Sequence, residues 1–438
     1  NYRARTRVVF QNKNVMCQYR AVGHPIACSM TEGLIDLAAA RIGIDPVEIR
    51  RRNLIPDDAY PCASPSGMKF ERLSHHASLA KLVEMMDYDG LRVEQIELRK
   101  RNIHRGIGIA SFIEVTNPSA AFYGVGGAKI SSQDGAAVRL DAQGAVICHA
   151  SITEQGQGSE SLIAQIVGSV VGVPMDRVRV MLGDTDNTPY GGGTWASRGA
   201  GIGGEAALQA AKILRKNILD VAGAILQSAA DELDIIDGNI VNAQDSIVRI
   251  ELRELARIVY FRPDTLPPGV QPELMATRHF VPREYPFAFT NGIQASWLEV
   301  DIETGLIKLL KHWVVEDCGT IINPQLVDEQ IRGGVVQGLG AALFEKCIYD
   351  ERGQLINANM ADYLVPMSGE MPDIDIGHVV SPTLESELGA KGAGEAGTAG
   401  AAAAVANAVN DALRPLGAAV ITEIPLTPEL VLRALRHI

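Results

Sequence analysis

Glu385-Ser-Glu-Leu-Gly-Ala-Lys-Gly-Ala-Gly-Glu-Ala-Gly397 runs without a break into Thr398-Ala-Gly-Ala-Ala-Ala-Ala-Val-Ala-Asn-Ala-Val-Asn-Asp-Ala-Leu413. Its centre, Gly392 to Gly397, matches the GxGxxG fingerprint of a dinucleotide-binding turn, which requires a buried strand before it and an acidic residue about 20 positions on. What precedes it is polar. A second match, Gly199 to Gly204, follows the loop Thr194-Trp-Ala-Ser-Arg198 and fails for the same reason. The stretch is therefore read as a glycine loop opening an apolar helix, and not as half of a doubly wound sheet. Such a loop lets backbone amides approach an anion or a polar cofactor, and the helix N-terminus favours negative charge there. Glu395 is then either a first-turn acid complementing the helix dipole, worth about 0.3–1 kcal/mol, or a general base set among glycines that leave room for a bulky reaction centre.

The 438 residues are 47% hydrophobic and 21% charged, enough for two or more domains with their own cores. A formal charge of −12 argues against a general binder of nucleic acid or anionic membranes. No apolar run reaches the roughly 18 residues of a membrane span. The six cysteines form no CxxC pair, so no iron-sulfur cluster or zinc knuckle is encoded locally. The histidines, His24 and the His75-His76 pair included, lack ligand-like companions, so no metal is assigned to protein side chains. A reducing compartment is expected, the cytoplasm, with the periplasm as alternative. The chain opens in what reads as a strand, Arg7 to Phe10, with neither an initiator Met nor a signal peptide, and reads as a fragment or one product of a split or cleaved polypeptide.

Helices are expected from about 30 to 43, behind a Ser29/Glu32 capping box, and from 46 to 53, behind Asp45 and Pro46. Further helices are placed near 78–87 and 91–103. From Gly106 the text changes to short β-type runs at 107–115, 137–140 and 145–152, then a helix after Gly158, a strand at 178–182 and a helix through Leu214 and Ile225. A hairpin about Asp301-Ile-Glu-Thr-Gly305 and a helix through Val327 and Leu339 repeat that grammar. The fold class is α+β, with a connecting region over 1–105 and two sheet-and-helix subdomains over about 106–290 and 291–438.

Other loops carry candidate contacts. Glu154-Gln-Gly-Gln-Gly158 enters a helix, with Gln157 either holding the turn or offering its amide to a ligand. Tyr190-Gly-Gly-Gly-Thr-Trp-Ala-Ser-Arg-Gly199 is polar and also precedes a helix. Three glycine loops on helix starts suggest a large ligand with a phosphate. In Tyr19-Arg20-Ala-Val-Gly-His-Pro25, Arg20 is either a salt-bridged structural residue or a substrate contact.

Together these segments resemble the C-terminal part of the molybdenum-binding catalytic subunit of the xanthine dehydrogenase family, the molybdenum hydroxylases. The matching pieces begin with Tyr19-Arg20 and Asp45 to Leu54, then Gln155 to Gly158 and Thr194 to Arg198. They continue with Val315 to Gly319, Ile322 to Pro324, Gly333 to Gly338, Asp362-Tyr363 and Gly389 to Glu395, in the family's order.

The resemblance implies the end of a first molybdopterin-binding domain over 1–105 and a second over 106–438. It implies oxidative hydroxylation of an N-heterocycle or aldehyde at a molybdenum-molybdopterin centre, the metal held by the pterin dithiolene and the cofactor in its cytosine dinucleotide form. Glu395 would be the catalytic base and Arg20 would face substrate. Gly156, Gln157, Gly158, Thr194, Ser197, Arg198, Asp317, Cys318, Gly392 and Gly394 would hold the cofactor. The 2Fe-2S and FAD groups would sit on partner subunits, and the family's N-terminal part would come from a missing segment or another chain. Ala21, Val22, His24 and Ile26 depart from the family's usual first loop. Ala21 also stands where carbon monoxide dehydrogenases carry a copper-binding cysteine. A dehydrogenase-like large subunit without that cysteine, or a non-catalytic assembly or binding subunit, are the alternatives.

Overall fold

The structure, a computed structural model, describes residues 3, 5, 7–13, 17–127 and 129–436. In chain order the elements are α1 (His24–Ile42), α2 (Pro46–Asn53), a short pair β1 (Cys62–Ala63) and β2 (Lys69–Phe70), α3 (His75–Met85), α4 (Tyr88–Arg99) and β3 (His104–Glu114). There follow β4 (Asp134–Leu140), β5 (Val146–Ala150), α5 (Ser159–Val171), β6 (Val178–Leu182), α6 (Glu205–Leu226), β7 (Leu233–Ile236), β8 (Asn239–Asn242), β9 (Val248–Glu251), α7 (Leu252–Phe261) and β10 (Met275–Phe280). The chain ends with β11 (Thr290–Val300), β12 (Ile307–Asp317), α8 (Pro324–Leu343), β13 (Asp373–His378), α9 (Ala396–Leu413) and α10 (Pro428–Ala434).

These elements form two compact units. The first comprises Asn1–Thr116, Ala288–Ser381 and Ala393–Ile438, and the second Asn117–Phe287 and Pro382–Gly392. The division differs from cuts at 105/106 and 290/291 because β3 crosses the first cut. Its ladder partner is β11, with Glu114 opposite Thr290 and His104 opposite Val300.

In the first unit the sheet order is β13-β12-β11-β3, antiparallel except for the parallel pair β12-β13. Alternation along β3 assigns its faces. Ile107 and Ile109 join Leu79, Leu82 and Leu98 of α3 and α4, whereas Ala110 and Phe112 join Ala399, Ala403 and Ala404 of α9. Gly106 and Gly108 lie so close to α9 that a Cβ would overlap the carbonyls of Ala408 and Ala404. Behind α9, Ile331, Val335 and Leu339 of α8 complete the core.

The second unit has the order β10-β4-β5-β6, again antiparallel except for one parallel pair, β5-β6. Val138, Val146, Cys148, Ile163, Val167 and Leu214 pack α5 and α6 against it. Each unit therefore contains a hairpin, a helix and a third strand parallel to the second hairpin strand. Both hairpins turn on an aspartate. Asp141 accepts from Gln143 N and Ala145 N at 2.8 and 2.9 Å, and Asp301 accepts from Glu303 N and Thr304 N at 2.9 and 3.2 Å.

Two expectations are corrected. Residues 7–10 form no strand, and Val8, Val9 and Phe10 are exposed, because a short β-type run without a ladder partner does not make a strand. Helix α1 begins at His24, with Pro25 in its first turn, and not near 30. Ser29 donates back to the Pro25 carbonyl at 2.8 Å and Glu32 is buried against Arg50 at 2.8 Å, so neither caps. Helix α2 starts as expected, with Asp45 accepting from Val47 N and Glu48 N at 2.7 and 3.2 Å. Among the described residues no helix is long and apolar enough to cross a membrane.

The contact between α9 and β3 supplies a first test. Gly108→Ala must push two backbones apart and is expected to cost about 1–3 kcal/mol, read as a lowered Tm. Gly369→Ala, with nothing within 4 Å of its added Cβ, is the control expected to leave Tm unchanged. Equal Tm values would mean that α9 and β3 are not in backbone contact.

Candidate active site

The first unit gathers Arg20, Glu395, His24 and Glu114 about one turn. Ala21 and Val22 both have left-handed backbones, φ 70° and 53°, a conformation costing roughly 1–2 kcal/mol for an L-residue. Side chains on every side hold it. Arg20 Nε donates to the Gly394 carbonyl, Nη1 to Gln337 Oε1 at 3.1 Å, and Nη2 to the Gln330 carbonyl and Oε1 at 2.8 and 2.9 Å. Ala21 N–H donates to Glu395 Oε1 at 3.0 Å. The Ala21 carbonyl accepts from His24 Nδ1 at 2.9 Å.

Glu395 is the N-cap residue of α9, but its side chain does not cap that helix. The half-buried carboxylate reaches the Arg20 turn instead. The first turn of α9 is fixed from below by Gln294 on β11, whose Nε2 donates to the carbonyls of Ala396 and Gly397 at 3.2 and 3.0 Å. Gln294 Oε1 accepts from His312 Nε2 at 3.0 Å, which leaves His312 Nδ1 to accept from Ser296 Oγ at 2.8 Å. His312 is thereby a neutral imidazole, and burial pushes its pKa down to about 3.

Glu114 closes β3 with a side chain 2% exposed, and its Oε1 lies 3.6 Å from His24 Nδ1. Burial, with the Glu395 charge behind it, pushes its pKa up to about 9. The sequence reading passed over Glu114 and gave His24 no role, naming it only as a histidine without ligand-like companions and as a departure from the family's first loop. The available signal was an acid at the end of the otherwise apolar run Ile107–Val115. Asp317, expected to hold cofactor, is buried and accepts from Gly319 N at 2.9 Å and Ser381 N at 3.1 Å, which ties two loops; Cys318 beside it is buried.

In the second unit the loop after Thr153 is organised by an anion of its own. Glu154 Oε1 accepts from the backbone N–H groups of Gln155, Gly156 and Gly158 at 3.1, 2.9 and 3.1 Å, and Oε2 from Glu160 N at 3.1 Å. Slight burial opposes the charge, yet these donors outweigh it and hold the carboxyl below its ordinary range. Gln157 turns inward, donating to the Thr153 carbonyl and Ser159 Oγ at 2.9 and 2.8 Å. Thr194 is laced to the same loop, its Oγ1 donating to the Thr153 carbonyl at 2.9 Å and accepting from Thr153 N at 2.9 Å. Ser197 has a left-handed backbone, φ 51°. Arg198 is fully buried, with Nε to Asp134 Oδ2 at 2.8 Å and its other nitrogens on the carbonyls of Ser131 and Gln133 at 2.6 and 2.5 Å. A Cβ at Gly192 would strike that guanidinium. Gly392, in this unit, is buried, whereas Gly394 and Glu395 belong to the first.

Two molybdopterin cofactor-binding domain families match the chain, one over residues 81–372 and the other over residues 1–54. The nicotine 6-hydroxylase large subunit of Paenarthrobacter nicotinovorans is 37% identical over 98% of this chain and 52% of its own length. A putative xanthine dehydrogenase molybdenum-binding subunit of Escherichia coli K12 is 31% identical over 94% of this chain and 52% of its own. Among solved structures, quinoline 2-oxidoreductase from Pseudomonas putida 86 superposes with a TM-score of 0.87 at 37% identity, covering 95% of this chain and 53% of that one. The chain thus spans about half the length of the relatives it matches.

The His312 network sets a pH dependence. Its folded pKa of about 3 lies below the ordinary 6.5, so the unfolded chain binds more protons across that window. This contribution to stability is complete above about pH 6.5 and is lost as pH falls toward about 3. His312→Gln, which does not titrate, is expected to flatten that part of a plot of Tm against pH. An unchanged slope would remove His312 from the network.

Proposed function

The chain belongs to the molybdopterin cofactor-binding family of molybdenum hydroxylase large subunits, and on that footing we propose that it serves in oxidative hydroxylation of an N-heterocycle, with aldehydes as the second substrate class. The names of two relatives, a nicotine hydroxylase and a quinoline oxidoreductase, support the heterocycle. The observation that carries the reading is Glu395, a half-buried carboxylate at the start of α9 with Oε1 anchored 3.0 Å from Ala21 N–H. Ala21 brings no thiol to this turn, so copper-dependent carbon monoxide oxidation is not proposed.

The residues present fit the cofactor by the room they leave. Gly156 has a left-handed backbone, φ 92°, and its Cβ position faces open space, so a ligand can approach the backbone of a loop whose own N–H groups are held by Glu154. When bound, molybdenum-molybdopterin, proposed in its cytosine dinucleotide form, supplies the two-electron oxidation and the water-derived oxygen. In the second unit Gly156 to Gly158, Thr194, Ser197 and Gly392 are proposed to contact it, with Arg198 shaping its loop from behind. In the first unit Gly394, Asp317 and Cys318 are proposed.

Glu395 takes the proton released as oxygen is transferred. Ala21 N–H orients its carboxylate, and Arg20 acts on it through charge. Four of the five Arg20 donors are already committed to Gly394, Gln330 and Gln337, so Arg20 is assigned to holding the turn, not to binding substrate. Electrons are proposed to leave to iron-sulfur and flavin partner subunits. All six cysteines are free thiols, which supports a reducing cytoplasmic setting.

Glu395→Gln alters charge but hardly size, and is expected to retain molybdenum and pterin while losing about 10²–10⁴-fold in turnover. Assays with heterocycles and an artificial electron acceptor, beside metal analysis and pterin fluorescence, provide the check. Near-normal turnover would remove the base. Natively purified protein without molybdenum or pterin would favour a non-catalytic binding subunit.

A further inference from the structure

Glu114 is the buried acid for which the proposed function has no use. Its residue is 1% exposed, and its Oε2 has no hydrogen-bond partner among the described residues. An ionised carboxylate with an unpaired, buried oxygen is strongly disfavoured, whereas a neutral carboxylic acid is tolerated. A short path of groups joins it to Glu395. Glu114 Oε1 is 3.6 Å from His24 Nδ1, that nitrogen is 2.9 Å from the Ala21 carbonyl, and Ala21 N–H is 3.0 Å from Glu395 Oε1.

Favourable partners fall on one side of this pair only. Glu395 receives the Ala21 N–H, the N-terminal end of α9 and the field of Arg20. Glu114 faces His24 and Glu395. On the neighbouring elements the residue opposite it on β11 is the neutral Thr290, Glu32 of α1 is engaged by Arg50 and Ser111, and His75 of α3 is bound to the Phe112 carbonyl. Asp411 of α9 is paired with Arg92.

We propose that Glu114 and Glu395 hold a single proton between them at rest, carried by Glu114, which makes Glu114 a positioning residue that keeps Glu395 ionised and ready to accept a proton. Two nearby carboxyls in unlike settings titrate apart, and the one deprived of donors keeps the proton. After Glu395 accepts a second proton the pair is neutral, and that proton leaves from Glu395 while the first stays on Glu114. The value of about 9 for Glu114 agrees with this order. The base role of Glu395 is taken from the proposed function, whereas the shared proton is measurable without turnover.

Infrared difference spectroscopy on the purified protein with its complement of subunits tests the pair. At neutral pH a deuterium-sensitive carboxylic-acid band is expected, lost in Glu114→Gln and titrating near pH 9. In Glu395→Gln the midpoint of that band is expected to fall by about 1 pH unit or more, because the coupled charge is gone. Absence of the band from the wild type, or an unmoved midpoint in Glu395→Gln, overturns the proposal even if Glu395 is the base. Turnover supplies a second check, since Glu114→Gln imitates the neutral acid and should leave the acid limb of kcat/KM in place. A shift of that limb toward lower pH would show that Glu114 was ionised. Should Glu114→Gln fold poorly, the wild-type band and its response to Glu395→Gln still decide.

Discussion

The backbone approach of α9 to β3 is the constraint on which the first unit depends. Side chains ordinarily hold packed layers apart, by about 10 Å between stacked sheets, but Gly106 and Gly108 remove them on one side and the run of alanines minimises them on the other. The same device recurs between α9 and α8, where a Cβ at Gly397 would overlap the Ile331 carbonyl. A helix gripped by backbone on two faces has little freedom to slide or rotate, because close-packed contacts do not deform gradually. Its N-terminus, and with it Glu395, is placed by the core.

Buried charge in this unit follows a second rule. Arg50 joins Glu32 and Asp36 at 2.8 and 2.7 Å, binding α2 to α1. Asp411 of α9 accepts from Arg92, Gln95 and the Ile107 backbone at 2.9, 2.7 and 3.0 Å, binding α4 and β3 to the helix. Such groups, once buried, must be paired, and pairing fixes register more than it adds stability. His378 obeys the same logic. Burial opposes its charge, yet Glu316 and Asp328 on either side at 2.5 and 2.7 Å outweigh that and raise its pKa. Against this background Glu114 stands apart by its weak pairing, with Oε2 unbonded and His24 Nδ1 at 3.6 Å from Oε1, where Glu316 has His378 at 2.5 Å.

Local signals were legible in the sequence where local chemistry decides the outcome. Asp45-Pro46 started α2, an aspartate turn closed the β11–β12 hairpin, and helical spacing located α5, α6 and α8. The glycine loop leading to Glu395 was legible for the same reason. Non-local features were hidden. Nothing near Ser29 shows that Glu32 will be claimed by Arg50, and only the β3–β11 ladder reveals that strand and helices share a unit across the expected cut. Arg20 could be read as a substrate contact or a strut, and Arg198 was expected to hold cofactor, until their acceptors were known, and all of those of Arg20 lie more than 300 residues away.

Strain at the turn follows from these placements. Ala21 and Val22 pay for left-handed backbones at roughly 1–2 kcal/mol each, and no local sequence preference offsets that. The offset comes from Arg20, whose bonds to Gln330, Gln337 and Gly394 close the turn from both sides, and from the Ala21 N–H bond to Glu395. Left-handed geometry at Ala21 is what aims its N–H at the carboxylate and its carbonyl at His24. The strain, Glu395 and His24 are therefore one arrangement, since relaxing Ala21 would release the carboxylate of Glu395 and the imidazole of His24 together.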